Sequence, residues 1–344
     1  MAYNVLGINP FHNGSVCVLS DEQVVYYLEE DRKTRYKYDF LPFKLILEIF
    51  NKYKIDEVVI AGINYNSVYL SYSNKNLLEE FFRKIKPNLK ITLVHDHHHL
   101  THIYHAFYNS GFESALGIVI DSGGSGYYIQ DKHYTELDSI YHIDLGKVSP
   151  FRRINTNSSC YPLIPNKGIP VARAYTLITS ILGFNVHEEG KVMGLSSYGK
   201  LDKNIPKLYD NFLTNPNYIP QRKNQNPYGS LNSEIYQPQT NNKWHKDSNL
   251  ITPKEKNLAW RIQKDSQELV KNYIIKYIKE TGLTQVVCSG GYFLNCVSNY
   301  YLTKSLPNIN FYFEPIAHDG GTAIGATYMI AQKNNNRFKP KKQK

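Results

Sequence analysis

The 344-residue chain has few cysteines and no cysteine pair motif: Cys17, Cys160, Cys288 and Cys296 include no CxxC spacing. That argues against a disulfide framework, and a reduced, cytoplasmic setting is expected. No apolar run reaches the roughly 20 residues needed to span a bilayer, so no membrane partner is expected. No N-terminal segment joins a basic start to an apolar core, which removes the signature of a secretory signal. Walker A and GxGxxG patterns are both missing, so P-loop and Rossmann readings lose their motif support. Net charge is also scarce outside the C-terminal end. Of the formal +10, six positive residues are Lys333, Arg337, Lys339, Lys341, Lys342 and Lys344. The body then carries only about +4, a weak footprint for a nucleic-acid surface. The stretch 336–344 reads as a disordered basic tail, with a phosphate-binding arm as the other reading.

What is present is a globular composition, 42% hydrophobic and 20% charged, in a chain long enough for two core-bearing lobes. Three short strands are expected over Tyr3–Gly7, Ser15–Leu19 and Val24–Leu28. Alternating helices and strands follow, which points to an α/β lobe of RNase-H-like type. The strand–turn–strand opening is echoed at 115–141, so two related lobes with a ligand cleft between them are expected. His12 lies in the first turn, where loops at strand ends often carry ligands.

The densest chemistry lies in Val94–Asp121. His95, His97, His98, His99, His102 and His105 fall within a dozen positions. On a helix, His98 and His102 share a face and can chelate one metal ion. Asp121, at the end of the apolar strand Ala115–Ile120, could complete a two-His-one-carboxylate set. The other reading is a polar helix whose histidines are solvated or hydrogen-bonded. Gly123, Gly124 and Gly126 after Asp121 suit either a phosphate cradle or an ordinary hairpin turn. Arg32, Arg35 and Lys37 form either a phosphate clamp or a solvated charged loop. The segment 186–200 reads as loop and turn, with Glu189 and Lys191 available to the cleft. Residues 201–256, rich in Asn, Pro, Gln and Lys, read as an insertion or lid. A long amphipathic helix is expected over Asn257–Glu280. Two Gly-Gly turns that open helices, at Gly290-Gly291 and Gly320-Gly321, can meet a nucleotide phosphate or sugar.

In order along the chain, LGINPFHNGS, EEDRKTRYKYD, HHLTHIYHAFYNSGFESALGIVIDSGG, EEGKVMGLSSYG, CSGGYFLNCVSN and HDGGTAIGA resemble six blocks of the O-carbamoyltransferase family, from about Asn4 to Ala331. The family includes nodulation-factor and antibiotic carbamoyltransferases and is related to the tRNA threonylcarbamoyladenosine transferase fold. The resemblance implies an actin-like ATPase (ASKHA) fold of two lobes, 1–114 with the histidine helix and 115–335 with the insertion. It implies transfer of a carbamoyl group from carbamoyl-adenylate to an acceptor hydroxyl, of a sugar or a modified nucleoside, with release of AMP. The implied cofactors are a divalent metal, Fe(II) in the family, and ATP or carbamoyl-adenylate, with carbamoyl phosphate as the ultimate donor. Carried over residue by residue, the metal ligands are His98, His102, Asp121 and Asp319. His12 takes the acid–base or orienting role, and Lys37, with Arg32 and Arg35, meets the donor. Gly290, Gly291 and Asn295 form the adenosine face.

Two departures accompany the resemblance. The family's His-Asp pair is His12-Asn13 here. The family's further domain, which makes the carbamoyl-adenylate, has no counterpart in these 344 residues, so the expectation is a separate adenylate-forming partner, another donor, or loss of the activity. Other readings are a threonylcarbamoyl-type tRNA-modifying transferase, a sugar kinase of the same fold, and a non-catalytic nucleotide-binding subunit. Nucleic acid as a partner is left open, and a homodimer is compatible with each reading.

Overall fold

The computed structural model describes residues 2–62, 71–94, 96–129, 132–144, 147–156, 171–185, 187–205, 207–209, 251–335 and 338–339. His95, Cys160, residues 210–250 of the expected insertion and most of the basic tail lie outside the described residues.

The first sheet contains β1 (Asn4–Asn9), β2 (Ser15–Ser20), β3 (Gln23–Glu29), β4 (Glu57–Ile60) and β5 (Lys90–Leu93) in the order β3-β2-β1-β4-β5. β1 is antiparallel to β2 and parallel to β4, and β4 is parallel to β5. The second sheet repeats this plan. β6 (Ser114–Ile120) is antiparallel to β8 (Lys132–Asp144) and parallel to β10 (Gln285–Ser289), and β10 is parallel to β11 (Asn310–Phe313). β7 (Gly126–Ile129) and β9 (Lys147–Thr156) extend it through β8. Each half is therefore an RNase-H-like sheet, and the duplication expected from the strand pattern is a duplication of topology.

The helices are α1 (Asp31–Thr34), α2 (Phe43–Lys52), α3 (Ser71–Ile85), α4 (His98–Ser110), α5 (Val171–Ile181), α6 (Glu189–Ser196), α7 (Pro253–Thr281), α8 (Cys296–Ser305) and α9 (Thr322–Asn334). α2 forms because Leu45, Ile46 and Ile49 recur at helical spacing and bury against the first sheet. α7 starts four residues before the expected Asn257. Thr252 and Glu255 make a reciprocal capping box and Pro253 occupies the first turn.

The central layer sets the site. α4 and α9 pack on each other, α4 against β6 and β10, α9 against β1 and β2. Ile103 and Phe107 of α4 and Ala323 and Ala326 of α9 share one core with Val5 of the first sheet and Val119 and Val287 of the second. The last helix of the chain thus backs the first sheet, and the histidine helix backs the second. This burial on all sides is what turns a polar helix into an internal one. Among the described residues, no helix is long and apolar enough to cross a membrane.

Candidate metal centre and interlobe cavity

The parallel strands deliver their C-terminal ends to one place. β6 leads into Asp121, β10 leads into the Gly290-Gly291 turn, and the segment after β11 leads to Asp319. Gly290 has φ +94, and a Cβ there would meet the Ile120 carbonyl oxygen at 2.4 Å. Only glycine lets the two strand ends approach so closely.

His98 and His102 look at these ends from the first turns of α4. The solvated-helix reading fails here, since the two rings are 1% and 0% exposed. Their Nε2 atoms are 3.3 Å apart. His98 Nε2 is 3.7 Å from Asp121 Oδ2 and 3.6 Å from Asp319 Oδ1. His102 Nε2 is 3.4 Å and 3.5 Å from the same two oxygens. One ligand atom from each of the four residues lies within 4.8 Å of every other. Metal–ligand bonds of about 2.0–2.2 Å in a tetrahedron give ligand–ligand edges of about 3.3–3.6 Å, so the spacing fits one small divalent ion. Two imidazoles and two carboxylates form a nitrogen–oxygen set suited to iron(II), zinc or manganese.

The electrostatics agree with a site built for positive charge. Burial alone would lower the His102 pKa, but Asp121 and Asp319 outweigh it and raise it to about 9. Burial would raise Asp319, and the opposing pull of His12, His98 and His102 carries it well below the ordinary carboxylate range. Asp121 is depressed in the same way by His102 and His98. The set is braced from outside. Ser289 Oγ lies 3.3 Å from His102 Nδ1, the Asp121 Oδ1 accepts the Ser122 N–H at 2.7 Å, and the His98 N–H donates to Ser125 Oγ.

A cavity of about 590 Å³ opens over this quartet, between the two sheets. His12, Asn13 and Tyr38 line it from the first lobe. Opposite stand the Asp121–Gly123 turn, Tyr175 and Thr176 of α5, Glu189 and Met193 of α6, and Tyr292, Leu294 and Asn295 beyond β10. Residues 52–328 match the family model described as carbamoyltransferase N-terminus. The chain belongs to that family.

An uncharacterized protein of Methanocaldococcus jannaschii is 28% identical to this carbamoyltransferase-family chain, over 97% of the chain and 58% of that protein. Nodulation protein NolNO of Sinorhizobium fredii is 24% identical over 93% of the chain and 46% of its own length. The chain spans about half the length of these curated relatives. T. kodakarensis HypF superposes with a TM-score of 0.56 at 12% identity, over 97% of this chain and 48% of that one. Full-length HypF in its phosphate- and nucleotide-bound form gives 0.50 at 14% identity, over 97% and 56%. At such identities the likeness concerns the fold, which is the two-lobed actin-like α/β fold.

Within this family member, His12 Nε2 lies 3.1 Å from Asp319 Oδ2. Burial opposes the charged ring, yet Asp319 raises its pKa to about 9. Glu189 lines the cavity and accepts from Thr176 Oγ1 at 2.7 Å. Gly123 and Gly291 line it as well. Asn295 lines it while capping α8 through Ser298 N–H and exchanging amide hydrogen bonds with Gln263. Other expected residues are elsewhere. Arg32, Arg35 and Lys37 are exposed and outside the lining, because α1 is a single turn facing solvent and Arg32 pairs with Asp31. Lys191 is drawn to Glu188 on the outer side of α6. Gly124 packs on His99 and Glu136, and Gly290 on the end of β6, both behind the cavity wall.

Sequence reasoning missed much of the lining, including Tyr175, Met193, Tyr292 and Leu294 of the apolar wall and three residues at the lobe junction. His187, with φ 70, packs its ring at a tilt against His12 (centroids 5.0 Å apart) and Tyr38 (4.9 Å). The Tyr38 hydroxyl donates to the His187 carbonyl at 2.8 Å, joining the lobes over the cavity. His318 sits between the lobes, Nε2 3.5 Å from Glu29 and Nδ1 accepting the Gly320 N–H. A lone histidine in a loop carries no periodic signal; only chain pairing across the cleft brings these together.

Proposed function

We propose that this chain carries the metal-assisted transfer site of an O-carbamoyltransferase, moving a carbamoyl group from carbamoyl-adenylate to an acceptor hydroxyl. The observation that carries the reading is the His98–His102–Asp121–Asp319 quartet, whose two carboxylates line the interlobe cavity beside His12 while the two imidazoles lie behind them. A divalent ion held by these four, iron(II) first, would supply Lewis-acid polarisation of the carbamoyl carbonyl. Tyr175, Tyr292, Leu294 and Met193 offer an aromatic and apolar wall for an adenine ring, and Glu189 offers a carboxylate oxygen to ribose hydroxyls. HypF, which shares the fold, has been crystallised with phosphate and nucleotide, and that favours a nucleotide in the cleft.

In the transfer, the acceptor oxygen bonds to the carbamoyl carbon, and the carbon–oxygen bond to phosphate breaks. AMP leaves with the bonding electron pair. His12 Nε2 takes the hydroxyl proton, which requires that Asp319 no longer hold that nitrogen as an ion pair. Tyr38 and His187 cover the mouth and exclude water. The chain spans about half the length of these curated relatives, and the proposed reaction takes carbamoyl-adenylate as its donor whatever supplies it.

The test is transfer from supplied carbamoyl-adenylate, with iron(II) or zinc, to a panel of sugars and nucleosides, read by product mass. His98→Ala should lose bound metal and transfer together. Full transfer by a variant stripped of metal would overturn the proposal.

A further inference from the structure

The turn that carries Asp121 engages most of its backbone donors. The Asp121 N–H donates to the Leu137 carbonyl at 3.3 Å and the Ser122 N–H to Asp121 Oδ1 at 2.7 Å. The Gly124 N–H donates to the Glu136 carbonyl at 2.8 Å and the Ser125 N–H to Glu136 Oε2 at 3.3 Å. Among the described residues, none accepts from the Gly123 N–H. Gly123 is buried and lines the cavity beside Asp121 and Ser122. A buried N–H is nearly always paired, so this one points to a ligand atom.

The acceptor side of the same turn is held from behind. Arg173 Nε donates to the Ser122 carbonyl at 2.5 Å. Arg173 is the third residue of α5, 8% exposed and outside the cavity lining. Local stability does not account for it there: arginine is rarely buried, and a cation in the first turn of a helix opposes the helix dipole. Its contact sets two atoms at the metal centre. The Ser122 carbonyl and the Gly123 N–H belong to one planar trans peptide and point opposite ways. With the carbonyl turned to Arg173, the N–H is turned away from it, and the guanidinium polarises the peptide so that its N–H donates more strongly. The preceding peptide carries the Ser122 N–H, which occupies Asp121 Oδ1. Oδ2 is left for His98 and His102, whose Nε2 atoms lie at 3.7 and 3.4 Å.

We infer that Arg173 is a positioning residue that locks the Asp121–Gly123 turn, so that Asp121 keeps Oδ2 toward the metal and the Gly123 N–H faces an anionic oxygen bound there. The inference rests on the metal-centre reading for its chemistry, but the lock itself is a property of the metal-free protein and is measured without metal or substrate.

The experiment uses the full chain labelled with 15N and two variants. Arg173→Met keeps the apolar stem without a donor, and Arg173→Lys keeps the buried charge without the Nε–H. Arg173→Lys carries the test alone where Arg173→Met does not fold. In metal-free protein the Ser122 N–H should exchange with solvent about tenfold faster in both variants, the loss of one charge-assisted hydrogen bond. The Gly124 N–H, held by Glu136 in the same turn, should keep its rate, whereas a general loss of structure would speed both. Zinc affinity by calorimetric titration should fall about 10–100-fold, the range for residues that orient a ligand. Inorganic phosphate added to the zinc-loaded protein should move the Gly123 amide resonance of the wild type, and the variants should need several times more phosphate. Unchanged Ser122 exchange, parallel acceleration of Ser122 and Gly124, or a Gly123 resonance that phosphate leaves unmoved would overturn the inference. A wild type that binds no zinc, alongside selective loosening of Ser122 in the variants, would uphold the lock and sink the metal-centre reading.

Discussion

At the scale of single residues, the quartet concentrates four titratable groups where water barely reaches. Asp319 touches His98, His102 and, at the cavity rim, His12. Asp319→Asn keeps the shape and removes the charge. Metal affinity, measured by calorimetric titration with zinc, should fall by more than the roughly 10–100-fold that outer-shell changes cost. His187→Ala, which removes a ring from the cavity mouth and no ligand, should leave zinc affinity unchanged. A second residue-scale prediction concerns Asp138, fully buried on β8. Burial raises its pKa from 3.8 to about 8, against the opposing help of the Val171 backbone and Arg173. The unfolded chain ionises this group first, so stability must decline as pH rises from 3.8 to about 8. Asp138→Asn removes the slope. Urea unfolding should find the variant more stable than wild type at pH 8, by on the order of 2 kcal/mol, with the gap closing toward pH 4. Equal stabilities at pH 8 would mean the carboxyl is compensated in the fold.

At the scale of elements, the crossing of α4 and α9 decides where the ligands point. A Cβ on Gly325 would meet the Thr101 carbonyl oxygen at 1.8 Å, inside the turn of α4 that carries His98 and His102. Neither partner is a flexible side-chain tip, so Gly325→Ala must push the helices apart. It should cost about 1–3 kcal/mol in denaturant unfolding and also weaken zinc binding, since α4 carries two ligands. A stability loss with unaltered zinc affinity would show that the quartet tolerates a shift of α4. The elements also explain what the sequence disclosed. Strand alternation and the His98–His102 spacing made the duplicated sheets and the shared imidazole face readable. α6 was not, because Gly190 and Gly194 suggest a turn. In the structure a Cβ at either glycine would meet nothing within 4 Å, and Val192 and Leu195 hold the helix by burial. Tertiary packing thus overrode a weak local propensity. For the basic run Arg32–Lys37 both readings stayed open, because charge type alone cannot tell a clamp from a solvated turn; in the structure its basic side chains are exposed.

At the scale of the whole molecule, the site joins protonation, metal and stability in one balance. Without metal, His102 is held charged by Asp121 and Asp319, with its pKa raised from 6.5 to about 9. That contribution to stability is complete below pH 6.5 and is lost as pH rises through about 9. The depressed carboxylates act at the other end: their contribution is present above 3.8 and is lost on acidification. A metal ion takes the place of the His102 proton, so its affinity must climb over the same 6.5-to-9 window in which the metal-free fold weakens. A ligand bound only by the folded state adds about 4 kcal/mol at a thousandfold excess over Kd. The difference in melting temperature between zinc-loaded and chelator-treated protein should therefore be several degrees and should widen steadily from pH 6.5 to pH 9. A difference that stays constant across that range would mean zinc binds somewhere other than the quartet, because only a site that must shed the His102 proton couples the two curves.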